Sequence, residues 1–184
     1  LPRDLAIRYI FPNAPKLPVT INGGYVMPAW YDILEVTSDN HKVNDKQLLE
    51  SSQKIKDLID REVERGIDSS RILIAGFSQG GAVASAMLEY EIQERIVGLV
   101  LLGTKSGRPN QLAESLAFLN KRPIVWMHGR RDHLVPLEQG IEHAEIFEEA
   151  KWPVTRLEHE KGHMVNLNQL GEMRTAIEKI AQST

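Results

Sequence analysis

The sequence lacks cysteine altogether, and this absence narrows the chemistry that the chain can perform. Without a thiol there is no disulfide bond, no zinc site built from thiolates and no cysteine nucleophile. The absence also fits a reducing compartment, so we expect a cytoplasmic protein. Aromatic residues make up only 6% of the chain, but apolar residues at 42% and charged residues at 26% give the balance of an ordinary globular domain.

Long apolar runs are missing as well. No stretch reaches the roughly 18 residues that indicate a membrane-spanning helix, so no membrane span is expected. The first four residues, beginning with Leu1, lack the apolar segment of a signal peptide. A formal net charge of −3 gives no case for a nucleic-acid partner. Because the chain starts with leucine rather than methionine, we expect that an N-terminal piece is absent from it.

Apolar runs alternate with helical patterns along the 184 residues. This alternation predicts a single α/β domain over residues 1–184, with a mostly parallel sheet and helices on both faces. Strands are predicted at residues 7–11, 71–76, 96–102, 124–127 and 154–158. Helices are predicted at residues 44–65, 80–90, 110–119, 137–150 and 168–181. The stretch from residue 12 to residue 30 is broken by proline and glycine and is predicted to be irregular.

A G-x-S-x-G motif lies between the second predicted strand and the helix that follows it. Gly76, Ser78 and Gly80 occupy its fixed positions. In this motif a sharp turn lifts the serine hydroxyl above the sheet, at the N-terminus of a helix where backbone N–H groups favour negative charge. The alternative is a glycine-rich turn with an incidental serine, but the buried strand before the motif and the small-residue helix after it favour a nucleophile.

A serine hydroxyl needs a base, and the base needs a third group that orients it. In the α/β-hydrolase order the acid and then the histidine follow the serine along the chain. Asp132 follows the predicted strand that ends at Met127, although a plain turn aspartate is the alternative. His163 lies on the loop after the last predicted strand and is preferred over His159, which lies at the end of that strand.

The other histidines receive structural interpretations, and none forms a pair with ligand spacing, so no metal site is expected. These interpretations are a turn for His41, a strand end for His128, a loop for His133 and an exposed helix for His143.

These residues predict acyl transfer through a covalent intermediate. Ser78 attacks the acyl carbon, and His163 accepts its proton and later delivers it to the leaving alcohol or thiol. Asp132 fixes the imidazole tautomer and stabilises the imidazolium. The backbone N–H of Gln79 is the expected donor to the oxyanion.

Several segments together resemble the carboxylesterase/acyl-protein thioesterase family, which also includes enzymes described as lysophospholipases. They are residues 11–15 (FPNAP), 18–24 (PVTINGG), 29–32 (AWYD), 76–81 (GFSQGG), 128–136 (HGRRDHLVP) and 162–163 (GH). The resemblance implies an α/β-hydrolase three-layer sandwich and hydrolysis of small-molecule carboxylic esters or acyl thioesters, with no metal or organic cofactor. It also implies Ile21, Met27 and Leu134 as walls of an acyl pocket, with ordinary packing as the alternative.

The chain departs from that family in two places. Family members carry an earlier strand ending in a His-Gly-Leu-Gly type loop that supplies the second oxyanion donor, and residues 1–10 show nothing similar. We therefore expect N-terminal strands to be missing, with a gap in the sheet between residues 7–11 and 71–75. The stretch 102–107 also differs from the family's more apolar, serine-bearing stretch, which bears on the shape of the pocket.

Three functional hypotheses follow. The first is an ester or thioester hydrolase. The second is a truncated, non-catalytic protein that binds acyl groups or a partner chain. The third is a peptidase or lipase of the same fold, because fold and triad do not fix the substrate. A homodimer is also expected from exposed sheet edges and apolar helix faces.

Overall fold

The structure is a computed structural model that describes residues 7–37, 41–90 and 96–182. Residues 1–6, part of the stretch 1–10 in which the sequence shows no His-Gly type loop, lie outside the described residues. Within those ranges, no helix is long and apolar enough to cross a membrane.

A four-stranded parallel sheet forms the centre of the fold. Its strands pair in the order of the sequence, and they are β5 (Leu73–Phe77), β6 (Gly98–Leu102), β7 (Ile124–Gly129) and β8 (Val154–His159). The strands β6 and β7 are apolar without alternation, as is typical of strands covered on both faces. Parallel strands of this kind end at one common edge, so the loops that follow them are brought together.

Helices cover both faces of this sheet, which confirms the predicted α/β class. They are α2 (Gln79–Ala86), α3 (Pro109–Leu116), α4 (Leu137–Glu149) and α5 (Leu170–Gln182). Successive strand residues point to opposite faces. Leu101 and Trp126 therefore join a core cluster with Phe147 of α4, while Val100 joins a second cluster with Ile180 of α5. Apolar burial of this kind stabilises the fold by roughly 25 cal/mol per Å².

The long helix α1 (Asp45–Glu64) has the start and the end that the sequence predicts. The Asn44 side chain accepts a hydrogen bond from the backbone N–H of Gln47 at 3.1 Å and caps the first turn. Gly66 follows the helix with φ of +89°, a conformation that favours glycine. The helix buries Leu48 and Ile59 and packs against α2, the helix that directly follows the sharp turn at Ser78.

Two predictions for the N-terminal region are wrong. Residues 7–11 form no strand, and the stretch that was predicted to be irregular contains a hairpin of β1 (Lys16–Val19) and β2 (Tyr25–Pro28). A strand requires a neighbour to accept its hydrogen bonds, and β5 pairs only with β6 within the described part of the chain. The expected gap between residues 7–11 and 71–75 is therefore not found among the described residues, where the four strands are contiguous and the sheet ends at β5.

A second hairpin, of β3 (Ile33–Val36) and β4 (His41–Val43), leads into α1. Elsewhere the predicted elements differ from the structure mainly at their ends. The helix predicted over residues 80–90 becomes a 3-10 helix at Met87–Tyr90. The last predicted helix begins with a 3-10 turn, Leu167–Gln169, before α5.

Candidate active site

Three loops at the carboxyl edge of the sheet carry the residues that the sequence singles out. Ser78 directly follows β5, Asp132 lies three residues after β7, and His163 lies four residues after β8. The carboxyl edge is where open α/β sheets place their ligands. The structure brings the three side chains together there.

A continuous chain of hydrogen bonds joins the three side chains. His163 Nε2 lies 2.9 Å from Ser78 Oγ, and His163 Nδ1 lies 2.6 Å from Asp132 Oδ2. His159 is the alternative base, and its Nδ1 instead accepts a hydrogen bond from the backbone N–H of Lys161 at 3.2 Å. The arrangement can withdraw a proton from the hydroxyl and hold the resulting imidazolium against a carboxylate.

The Ser78 backbone is strained, as is typical of a nucleophile elbow, the sharp strand-to-helix turn formed here by residues 76–80. Its φ of +55° and ψ of −122° lie in a region that non-glycine residues rarely adopt. A Cβ atom at Gly76 would collide with the carbonyl of Gly80, so the sharp turn depends on glycine there. Gln79 is the first residue of α2, and its backbone N–H has no partner within the helix. That N–H is therefore available to a developing oxyanion.

Thr104 is a second residue that holds the elbow, and the sequence did not reveal it. Its hydroxyl donates to the Ser78 carbonyl oxygen at 2.7 Å, and its side chain lies against Gly81. Thr104 is almost fully buried. It belongs to the stretch 102–107 that was singled out as a departure from the family, but the pattern alone gave no sign of which residue acts.

The Asp132 carboxylate is buried and surrounded by donors. Its Oδ1 accepts the backbone N–H groups of Leu134 at 2.9 Å and Val135 at 2.8 Å. Its Oδ2 faces His163 and also His128, whose Nε2 lies 3.5 Å away. Two backbone N–H groups and two imidazoles thus converge on this one carboxylate.

The side chain of Gln79 ties the preceding loop to the elbow. Its Oε1 accepts the backbone N–H of Trp30 at 3.0 Å, and its Nε2 donates to the carbonyl of Tyr31 at 3.1 Å. The sequence suggested a role for the Gln79 backbone only. The structure adds a positioning role for its side chain.

The three predicted pocket walls lie in different environments. Ile21 is 44% exposed, Leu134 is 66% exposed, and Met27 is half-buried with its sulfur 3.3 Å from the Asn22 amide. Their role in acyl binding stays a prediction. Phe77 contacts the imidazole of His163, with the two ring centroids 4.7 Å apart. Phe77 is 39% exposed, so its ring offers an apolar surface beside His163.

His143 was predicted to lie on an exposed helix face, and this prediction is wrong. It is buried, with Nε2 2.8 Å from the hydroxyl of Ser85 on α2. Burial lowers the pKa of His143 to about 4. The helix α4 therefore turns a neutral histidine inward, toward α2, which follows the elbow.

Among residues 7–37, 41–90 and 96–182, no cluster of three metal-ligating side chains occurs.

The chain matches a known protein family over almost its whole length. The sequence profile of the phospholipase/carboxylesterase family matches residues 3–181. Acyl-protein thioesterase 1 of Saccharomyces cerevisiae is 37% identical over 143 residues, covering 77% of this chain and 63% of the relative. Acyl-protein thioesterase 1 of Candida albicans is 30% identical over 186 residues, covering 96% of this chain and 79% of the relative. The chain thus spans less than two thirds of the length of the Saccharomyces cerevisiae relative.

Solved structures show the same fold. SOBER1 of Arabidopsis thaliana superposes with a TM-score of 0.78 at 27% identity, covering 93% of this chain and 82% of that protein. Acyl-protein thioesterase 2 of Zea mays superposes with a TM-score of 0.76 at 17% identity, covering 92% and 80%. The second likeness, at its low identity, concerns the fold alone.

Proposed function

Because the chain belongs to the phospholipase/carboxylesterase family of α/β-hydrolases, we propose that it hydrolyses carboxylic esters or thioesters through an acyl-enzyme on Ser78. The observation that carries the proposal is the continuous chain from Ser78 Oγ through His163 to Asp132, at 2.9 and 2.6 Å. Separate strands of the sheet supply the three groups, so their convergence depends on the whole fold.

The proposed mechanism has two halves. His163 Nε2 takes the proton of Ser78 as Oγ attacks the acyl carbon, and the Gln79 N–H donates to the oxyanion. His163 then protonates the leaving alcohol or thiol, and the acyl group stays on Ser78. A water molecule, deprotonated by the same imidazole, releases the carboxylic acid and restores the hydroxyl. Asp132 holds the imidazole in place throughout.

Acyl thioesters and esters of small size are the proposed substrates. The curated relatives are acyl-protein thioesterases, and exposed apolar side chains lie close in sequence to the triad. They are Phe77, Leu134, Met164 and Leu167. We assign Ile21, Met27 and Leu134 to the acyl-binding wall. A cytoplasmic location is part of the same proposal, and a chain without disulfide bonds is compatible with it.

A non-catalytic role in binding acyl groups is the second candidate. It is favoured by one observation, that β5 beside the nucleophile is an edge strand within the described residues, so no neighbouring strand there offers a second oxyanion donor. Loss of one such donor typically costs about 10²–10³ in turnover. Acyl binding without turnover of p-nitrophenyl esters would support this candidate.

A fluorophosphonate probe tests the proposed hydrolase directly. We expect covalent labelling of the wild-type chain, and no labelling of Ser78→Ala. Ser115→Ala is the matched control, since Ser115 is a half-buried serine on α3 that donates to the Gln111 carbonyl at 2.9 Å. Equal labelling of wild type and Ser78→Ala would contradict the assignment.

We also propose a homodimer, since the edge of β5 and several apolar side chains are exposed. Sedimentation should give twice the chain mass of 20.8 kDa. A single species of the monomer mass at high concentration would contradict it.

A further inference from the structure

His128 is fully buried beside the catalytic carboxylate, and the proposed mechanism gives it no role. It is the fifth residue of β7, at the carboxyl edge of the sheet. Its Nε2 lies 2.9 Å from the carbonyl oxygen of Val135 and 3.5 Å from Asp132 Oδ2. Both neighbouring atoms are acceptors, so Nε2 must carry a proton.

The ring of His128 has little freedom to turn away from these atoms. It stacks on Trp126 with centroids 5.5 Å apart and planes 18° from parallel. Its opposite edge lies against Gly140 of α4, where a Cβ atom would collide with the ring. Nδ1 has no hydrogen-bond partner in the described part of the chain. Nε2 therefore faces the loop that follows Asp132, and Nδ1 packs against Gly140 of α4.

Two hydrogen bonds hold Val135, which lies on the loop that follows Asp132. The backbone N–H of Val135 donates to Asp132 Oδ1 at 2.8 Å, and the carbonyl of Val135 accepts from His128. His128 thus holds Val135, whose N–H in turn holds Asp132, and its Nε2 also lies within 3.5 Å of Oδ2. The Oδ2 atom is the one that receives His163 Nδ1.

We propose that His128 is a positioning residue for the acid of the triad. With a proton on Nε2, it holds the Asp132 carboxylate and the turn that ends at Val135. This fixes the direction in which Oδ2 meets His163. The inference rests on the proposed function for its effect on catalysis, but the geometry can be tested without turnover.

Two substitutions separate the hydrogen bond from the volume of the ring. His128→Leu fills the space but has no donor, whereas His128→Gln places an amide N–H near the position of Nε2. We expect His128→Leu to slow fluorophosphonate labelling about tenfold to a hundredfold, as a misplaced catalytic group does. We expect His128→Gln to restore most of the rate. Labelling of His128→Leu at the wild-type rate would overturn the proposal.

Ile180→Ala is the control for a loss of stability alone. Ile180 is buried on α5 and packs on Gly98, at the start of β6 and the opposite end of the sheet. Truncation of a buried isoleucine destabilises a protein without touching the Asp132 loop. We expect this variant, while folded, to label at the wild-type rate. A fall in rate equal to that of His128→Leu would show a merely structural effect and would overturn the proposal.

Nuclear magnetic resonance gives a readout that needs no activity. With ¹⁵N-labelled histidine, His128 should show the Nε2-protonated tautomer at neutral pH. The downfield proton on His163 Nδ1 should be present in wild type and His128→Gln, and be lost or shifted in His128→Leu. An Nδ1-protonated His128, or an unchanged His163 proton in His128→Leu, would overturn the proposal. An unlabelled wild type with these resonances as expected would refute the hydrolase and leave the positioning role standing.

Discussion

At the residue scale, the candidate site depends on groups that hold the triad as much as on the triad. The order serine, acid, histidine was readable from the sequence, because each lies in the loop after a predicted strand. Thr104 and the side chain of Gln79 were not readable, since their partners are backbone atoms that only the folded chain brings near. A hydroxyl or amide that serves a distant carbonyl leaves no local pattern.

Thr104→Val tests the support beneath the nucleophile. The variant keeps the branched shape but loses the donor to the Ser78 carbonyl, so we expect stability to fall by about 1 kcal/mol. We also expect slower fluorophosphonate labelling, because the strained φ of +55° at Ser78 loses one of its constraints. Urea unfolding and labelling kinetics measure the two effects. Thr104→Ser retains the hydroxyl and is the control; wild-type labelling by Thr104→Val would contradict the argument.

His143 makes stability depend on pH. Its pKa is lowered from 6.5 to about 4 by burial, so the unfolded chain binds its proton more readily than the folded chain. Stability should be unaffected by this group above about pH 6.5, fall as pH drops through that value, and level off below about pH 4. The full loss is on the order of 3 kcal/mol. Urea midpoints across this range measure it.

His143→Gln is the control for that prediction. Glutamine keeps a polar group near Ser85 but does not titrate in this range. The free energy of unfolding should therefore depend less on pH, by the contribution of the one proton that His143 binds. If wild type and His143→Gln lose stability in parallel between pH 6.5 and pH 4, the interpretation of His143 is wrong.

At the element scale, the long amphipathic pattern was the most informative part of the sequence. The helix α1 was predicted over residues 44–65 and spans Asp45–Glu64, because the signals at its two ends, which lie beside Asn44 and Gly66 in the structure, are local. The β1–β2 hairpin was missed, since Tyr25 and Val26 are exposed and no alternation marks a buried face. Residues 7–11 have the composition of a strand, but pairing decides whether a strand forms.

The hairpin is fastened by Asp32, and this gives a test at the level of the element. The Asp32 carboxylate accepts the Thr20 N–H at 2.7 Å and the Thr20 hydroxyl at 2.6 Å. Hydrogen bonds to a charged group are worth about 1.5–3 kcal/mol each. We expect Asp32→Ala to speed hydrogen exchange across residues 16–28 while exchange in α1 changes little, as measured by mass spectrometry.

Asp57→Ala is the matched control for that exchange experiment. Asp57 is an exposed aspartate on α1 that accepts only from the Gln53 side chain among its described contacts, at 2.8 Å. Its loss should leave exchange of the hairpin unchanged. Equal exchange of residues 16–28 in Asp32→Ala and Asp57→Ala would show that Asp32 does not fasten the hairpin.

At the scale of the whole molecule, the parallel sheet explains why a site could be predicted from separate segments. The sequence order of β5, β7 and β8 puts three loops at one edge, so Ser78, Asp132 and His163 had to be neighbours if the sheet was right. The sequence could not give the distances, and it placed His128 at a strand end without showing that it touches the acid. Long-range contacts of this kind follow from packing alone.

The proposed triad is tested most directly by the rate at which a fluorophosphonate modifies Ser78 in wild type, His163→Gln and His159→Gln, with the adduct located by peptide mass spectrometry. We expect one adduct, on Ser78. We also expect a fall of about a thousandfold or more in His163→Gln, because the hydroxyl loses its base, and a wild-type rate in His159→Gln. An adduct on another residue, or equal rates in wild type and His163→Gln, would contradict the triad.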